Sequence, residues 1–244
     1  MSVVILGATR GMGRELSRIL AERGDSLVLL GRTPEALEAM AADLRIRGAA
    51  DVFTAPCDLA DPTSFEPALS AGRSALGRID TVVVTAGLFG TQDQLEDDLE
   101  HAAQVLDIDF TKTILFCEHA RQLLLREGGG RLVVFSSVAG DRGRKTVGLY
   151  GAAKAGLSHY LESLDHRYRS QGLITLCVKP GFVRTAMTQG LKEPPFAGEP
   201  EQVARQVVAA MDSERALIYT PTIWALVMWV VRNLPRFVMR RVGF

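Results

Sequence analysis

The feature that most limits what this chain can fold into is a short apolar run, Val3-Val4-Ile5-Leu6, that passes without a break into Gly7-Ala8-Thr9-Arg10-Gly11-Met12-Gly13. A continuous aliphatic run reads as a strand buried on both faces. Leu16, Ile19 and Leu20 then fall at helical spacing, and Gly24 closes the helix. Strand, glycine loop and helix in direct succession form a cradle for phosphate. Gly7 permits the tight turn, Gly11 lets the backbone approach a pyrophosphate, and Gly13 allows close helix packing. The helix N-terminus adds backbone donors and the positive end of its dipole.

A second buried strand is expected over 26–30. The residue after such a strand usually selects between the two nicotinamide dinucleotides: an acid binds the ribose 2′-hydroxyl, an arginine a 2′-phosphate. Here Gly31-Arg32-Thr33 offers no acid, and Arg10 adds a cation in the glycine loop, so the pair favours NADPH over NADH. A helix over 34–47 leads to a third strand at 51–55, which ends at Cys57-Asp58-Leu59. Asp61 precedes Pro62 and reads as a helix cap, leaving Asp58 as the ligand-side candidate. Thr81-Val82-Val83-Val84 is a fourth strand closed by Thr85-Ala86-Gly87. Strands alternating with helices at this spacing predict a doubly wound parallel α/β sheet with right-handed crossovers. Ligands in such sheets bind beyond the carboxyl ends of the strands, where Gly7, Arg32, Asp58 and Gly87 all fall.

Residues 95–126 read as mostly helical, up to Gly128-Gly129-Gly130. An acid on an apolar helix face is costly unless paired, so Asp109, among Val105, Leu106, Ile108 and Phe110, is either a cleft-side functional group or a solvated helix residue. A fifth strand at 131–135 brings Ser136-Ser137 to the ligand side of the sheet. Tyr150 and Lys154 stand one helical turn apart on one face. A phenol titrates near pH 10, and a neighbouring ammonium lowers that value. Ser137, Tyr150 and Lys154 can converge beside the dinucleotide. A sixth strand at 174–179 ends at Pro180-Gly181-Phe182-Val183, and a segment rich in Pro and Gly, 189–200, suits a lid over substrate.

Lys plus Arg and Asp plus Glu balance at 28 each, which argues against a nucleic-acid partner. Cys57, Cys117 and Cys177 are scattered and odd in number, giving neither a disulfide framework nor zinc spacing, and no metal is expected. Reduced thiols fit a cytoplasmic protein, and no leader is expected ahead of Val3. The length admits one domain or two.

Taken in order and spacing, Gly7-x3-Gly11-x-Gly13, Asp58-Leu59, Ala86-Gly87, Ser136-Ser137, Tyr150-x3-Lys154 and Pro180-Gly181 resemble the short-chain dehydrogenase/reductase family over nearly the whole chain. The resemblance implies one Rossmann-type domain over 1–244 with about seven parallel strands, helices on both faces, and the seventh strand at 217–219. It implies that Ser137 binds a substrate carbonyl and that Tyr150 is the general acid. Lys154 tunes Tyr150 and binds the nicotinamide ribose. The resemblance also places Asp58 against adenine, with Val183 and Thr185 at the carboxamide. Thr9, Met12, Leu59 and Pro180 complete the expected cofactor contacts. The substrate is then a small-molecule carbonyl or secondary alcohol, and a homodimer or homotetramer is expected. Two positions depart from the family. Thr85 stands where it often has asparagine, and Asp109 where its asparagine holds a proton-relay water. An ionised carboxylate accepts hydrogen bonds but donates none.

Competing readings are an NADPH-binding regulator without turnover, and the keto-reductase step of a lipid-linked sugar epimerisation. The C-terminal stretch 221–244 bears on the second. Residues 224–231 are apolar and hold both tryptophans, Arg232, Arg236, Arg240 and Arg241 follow, and no acid comes after Glu214. Pro235 should split this stretch into two short helices. It suits packing over the cleft, a subunit contact, or peripheral contact with the inner face of a membrane.

Overall fold

The structure, a computed structural model, describes residues 1–241. Seven strands form one parallel sheet in the order β3-β2-β1-β4-β5-β6-β7. They are β1 Ser2–Leu6, β2 Ser26–Gly31, β3 Val52–Pro56, β4 Thr81–Val84, β5 Gly130–Phe135, β6 Leu173–Pro180 and β7 Leu217–Thr220. The helices are α1 Gly11–Glu22, α2 Pro34–Ile46, α3 Phe65–Leu76, α4 Gln92–Asp97, α5 Leu99–Leu106, α6 Thr113–Arg126, α7 Gly148–Tyr168, α8 Pro200–Asp212, α9 Ile223–Asn233 and α10 Arg236–Met239. This is the doubly wound Rossmann-type architecture read from the alternation of strands and helices.

Successive strand residues point to opposite faces, and that period of two divides the core. Val3, Ile5, Leu27 and Leu29 join Leu16 of α1, Leu44 of α2 and Val207 of α8 on one face. Val4, Leu6, Val28 and Leu30 join Phe65 of α3, Phe116 of α6 and Leu161 of α7 on the other. Both faces are apolar, so the strands read as unbroken hydrophobic runs. β1 pairs with β2 on one side and β4 on the other. The chain order reverses there, and the reversal opens a crevice at the carboxyl ends of the strands.

The helical stretch expected over 95–126 is broken twice. Asp98 leaves helical geometry, with φ −128° and ψ 90°, and its side chain caps α5 by accepting from the His101 amide. Residues Asp107–Lys112 then form a π-helical turn that joins α5 to α6. Pro235 splits the C-terminal stretch into α9 and α10, and residues 242–244 of that stretch lie outside the described part. One face of α9 is buried: Trp224, Met228 and Val231 pack with Val138, Phe182 and Tyr219.

Candidate active site

The glycine loop lies at the crevice. Gly7 and Gly11 have φ of +100° and +51°, in the region that favours glycine. A Cβ on Gly13 would run into the Gly7 carbonyl, and one on Gly7 into the Thr85 hydroxyl. Thr85 Oγ1 donates to the carbonyls of Gly7 at 3.0 Å and Leu6 at 3.2 Å, so this hydroxyl braces the loop from β4. Arg10 occupies the N-cap of α1 without a side-chain cap bond, which leaves the first-turn amides to accept an anionic ligand. The narrow cradle and uncapped amides fit a pyrophosphate. Thr9 and Met12 are half-buried in the loop, and Arg10 is exposed.

The other expected cofactor contacts line the same edge. Arg32 is exposed just beyond β2. Asp58 follows β3, its Oδ1 accepting from the Ala60 amide at 2.9 Å, and Leu59 beside it is buried. Ala86 and Gly87 follow β4. Pro180 ends β6, Gly181 lies under the Trp224 ring, and Val183 is buried and bridged to Gly198. A Cβ on Gly11 would sit 3.5 Å from Thr185 Cγ2. Between Arg10, Gly11 and Arg14 on one wall and Thr185, Gln189 and Leu191 on the other lies a cleft of about 600 Å³.

Ser137, Tyr150 and Lys154 come together at the ends of β5 and α7. Ser137 caps the turn over Val138–Asp141, its Oγ accepting from the Ala139 amide at 3.1 Å. That turn lies flat on α7, because a Cβ on Gly140 would stand 2.6 Å from the Lys154 carbonyl carbon and one on Gly151 2.8 Å from the Ala139 oxygen. Two glycines thus set the spacing between the serine and the tyrosine. Ser136 and Ser158 both donate to the Lys154 carbonyl, at 2.9 and 2.8 Å, and tie α7 to β5. Tyr150 is half-buried, with the Phe89 ring edge-on at 5.0 Å. Lys154 Nζ lies 5.6 Å from the Tyr150 ring centroid and 3.5 Å from the Phe135 carbonyl.

Asp109 is fully buried, and its sequence alternatives resolve toward the cleft. The π turn aims it at α7: Oδ2 lies 3.3 Å from Lys154 Nζ, and Oδ1 accepts from the Leu88 amide at 2.7 Å. A Cβ on Gly87 would come within 2.8 Å of Oδ1, so glycine there makes room for the pair. Burial opposes the charge on Lys154, but Asp109 and Tyr150 together favour it, and the ammonium is held above its usual value. Tyr150 moves the same way. Burial and Asp109 push the phenol up, Lys154 and the Ser137 hydroxyl pull it down, and the balance is upward. The expected lowering of the phenol by Lys154 is therefore present but overcome.

The short chain dehydrogenase family matches residues 1–195 of the chain, four-fifths of its length, which include the glycine loop, Asp109, Ser137, Tyr150 and Lys154. The chain belongs to the short-chain dehydrogenase family. It is 36% identical over 241 residues to an uncharacterised oxidoreductase of Mycobacterium tuberculosis, covering 98% of this chain and 96% of that one. It is 28% identical over 217 residues to carbonyl reductase family member 4 of Xenopus tropicalis, covering 86% and 90%. Among solved structures it resembles levodione reductase, with TM-score 0.80 and 27% identity, covering 89% and 95%. The protein is an oxidoreductase of this family.

Around this short-chain dehydrogenase site, Asp141, Gln92 and Arg184 were not singled out in the sequence, whereas Trp224 belongs to the C-terminal stretch that was. Asp141, which ends the turn begun by Ser137, accepts from Lys179 Nζ at 2.6 Å and from the Tyr219 hydroxyl at 2.7 Å. It locks the serine-bearing turn to β6 and β7. A lone acid among Arg142, Arg144 and Lys145 was the available signal. Gln92 Oε1 accepts from the Leu149 amide at 3.0 Å and steadies the approach to Tyr150. Trp224 Nε1 donates to the Phe196 carbonyl at 3.0 Å, so α9 holds the 189–200 segment. Arg184 pairs with Glu193 and Glu199 and pins that segment from its other side.

Proposed function

We propose that the enzyme is an NADPH-dependent reductase of an apolar carbonyl compound, with the reverse oxidation of a secondary alcohol at the same site. The carrying observation is the convergence of Ser137, Tyr150 and the Lys154–Asp109 pair at the edge of the sheet where the α1 amides are uncapped, Arg10 lines the cleft and Arg32 is exposed just beyond β2. The cradle at Gly7, Gly11 and Gly13 takes the pyrophosphate, with Thr9, Met12, Ala86 and Gly87 around it. Arg32 and Arg10 take the 2′-phosphate, with no acid at 31–33 to repel it. Asp58 and Leu59 border the adenine. Pro180, Gly181, Val183 and Thr185 flank the nicotinamide. A bound nicotinamide supplies the hydride in reduction and accepts it in oxidation.

The remaining chemistry belongs to side chains. The Ser137 hydroxyl donates to the carbonyl oxygen and polarises it. Tyr150 passes its proton to that oxygen as negative charge develops there. The phenol is protonated at neutral pH and can donate; burial raises its pKa, and Lys154 and the Ser137 hydroxyl, which pull it down, ease that donation. Lys154 remains an ammonium beside Asp109 and opposes the charge left on the phenolate. Asp109 positions Lys154 and takes the place of the family's asparagine behind it. Leu88, Leu149 and Tyr150 pack around Leu95 and Val105, which supports an apolar substrate wall.

The same reading treats 1–244 as one catalytic unit, 189–200 as the substrate lid, and the enzyme as a homodimer or homotetramer in a reducing, cytoplasmic setting. Buried Cys57, Cys117 and Cys177 support the setting, and exposed Leu115 and Phe110 support self-association. The test follows cofactor absorbance with NADPH and with NADH across a panel of aliphatic and aromatic ketones. NADPH-dependent reduction is expected. Stoichiometric NADPH binding without turnover on any carbonyl, or preference for NADH, would overturn the proposal.

A further inference from the structure

Helix α9 is amphipathic in an unusual sense. Its buried face, at Trp224, Met228 and Val231, is apolar, and so is the face turned to solvent. Ile223, Leu226, Trp229 and Val230 are all exposed and lie within about a third of a turn of one another at 100° per residue. Phe237 of α10 is exposed as well. The two tryptophans divide between the faces: Trp224 is 7% exposed and Trp229 67%. A contiguous exposed apolar stripe on a folded protein marks a surface that meets something.

The charges around the stripe select what it meets. Arg232, Arg236, Arg240 and Arg241 are exposed beside it, and the chain has no acid after Glu214. A second copy docked by this stripe about a two-fold axis would bring the two arginine sets together with no carboxylate of the stretch between them. An anionic bilayer supplies the opposite charge to the arginines, an interfacial zone for Trp229, and acyl chains for Leu226, Val230 and Phe237. No helix among the described residues is long and apolar enough to cross a membrane, so the contact is with the surface. We propose that α9 and α10 form a peripheral docking surface for an anionic lipid bilayer.

The inward face of the same helix holds the 189–200 segment. The Trp224 indole that holds α9 down also donates to the Phe196 carbonyl, and the Phe196 side chain is itself exposed. Docking needs none of the chemistry proposed above, and its test reads no turnover.

Full-length protein is sedimented with vesicles of pure phosphatidylcholine and with vesicles containing about one-third phosphatidylglycerol. Binding to the anionic vesicles is expected, weakened by salt, together with a blue shift of tryptophan fluorescence. Each arginine close to the surface contributes roughly a fivefold gain in partitioning, so Arg236→Gln with Arg240→Gln should weaken binding roughly 25-fold. Trp229→Phe should lose most of the blue shift yet still sediment. Leu226→Glu with Trp229→Glu should abolish sedimentation while NADPH binding, the check on folding, stays intact. The proposal is overturned if the glutamate variant binds vesicles as the parent does, or if binding ignores lipid charge. It is also overturned if, without lipid, that variant converts an oligomer to monomers, because the stripe then belongs to a second copy.

Discussion

Asp109 Oδ2 lies 3.3 Å from Lys154 Nζ, with both side chains buried. The pair places a negative charge one residue behind the cation that faces Tyr150. In this family resemblance an amide stands there; here a carboxyl does, its pKa raised by burial against the pull of Lys154 and the Leu88 amide, and its charged form acts on the phenol as well as on the lysine.

Replacing Asp109 by asparagine keeps an acceptor for the Leu88 amide and removes the charge. Asp109 raises both partners, so its loss should lower both the Lys154 and the Tyr150 pKa. The group at issue in reduction is the protonated phenol, so the alkaline limb of kcat/KM should move to lower pH. A pH profile that coincides with the parent's would count against the coupling. Asp109→Ala should be worse, leaving a buried ammonium without a counter-charge at a cost of about 3–5 kcal/mol in denaturant unfolding.

Tyr150→Phe tests the acid alone. The ring still meets Phe89 edge-on, so packing is kept. Loss of a general acid should cut kcat about 10²- to 10⁴-fold while NADPH affinity, from fluorescence titration, stays near the parent value. Full retained turnover would remove Tyr150 from the mechanism.

Arg32→Asp reverses the charge beyond β2. A charge-assisted hydrogen bond contributes about 1.5–3 kcal/mol, so the KM for NADPH should rise about tenfold or more and the preference should turn toward NADH. Unchanged cofactor discrimination would show that Arg32 faces only water.

Gly181→Ala should destabilise the fold through Trp224, because the new methyl would enter the space of the indole ring. Overpacking of this kind costs about 1–3 kcal/mol. Trp224→Ala should cost about 3–5 kcal/mol and free the Phe196 carbonyl. In the double variant the alanine at 181 has no ring to meet, so the two costs should fall short of their sum. Strict additivity in denaturant unfolding would contradict the contact.

What was legible in the sequence was local or repeated. The glycine spacing at 7, 11 and 13 and the four-residue step from Tyr150 to Lys154 encode their geometry within one loop and one helix turn. Strand after strand of apolar residues fixed the parallel sheet. What stayed open depended on distant partners. Asp109 could not be placed on the cleft from helical periodicity, because the π turn departs from that period. Asp141 finds its partners 38 and 78 residues away, on strands that alternation alone does not bring to the serine turn. The C-terminal stretch read as an apolar run with a basic end, suited alike to cleft packing, a subunit contact or a membrane surface. The packing of Trp224, Met228 and Val231 on Val138, Phe182 and Tyr219 separates its inward face from its outward one.

The π turn at Asp107–Lys112 is a helix holding one residue more than its neighbours need. Removing a single residue after Asp109 would let α5 run into α6 as ordinary helix, and one residue's step in such a helix is a rotation of about 100°. The carboxylate would then turn away from Lys154 without any side chain at the site being changed. The carboxyl behind Lys154 is thus placed by a register defect in the helix as much as by the residue at 109. A length change there would rewrite the proton chemistry as surely as a point substitution.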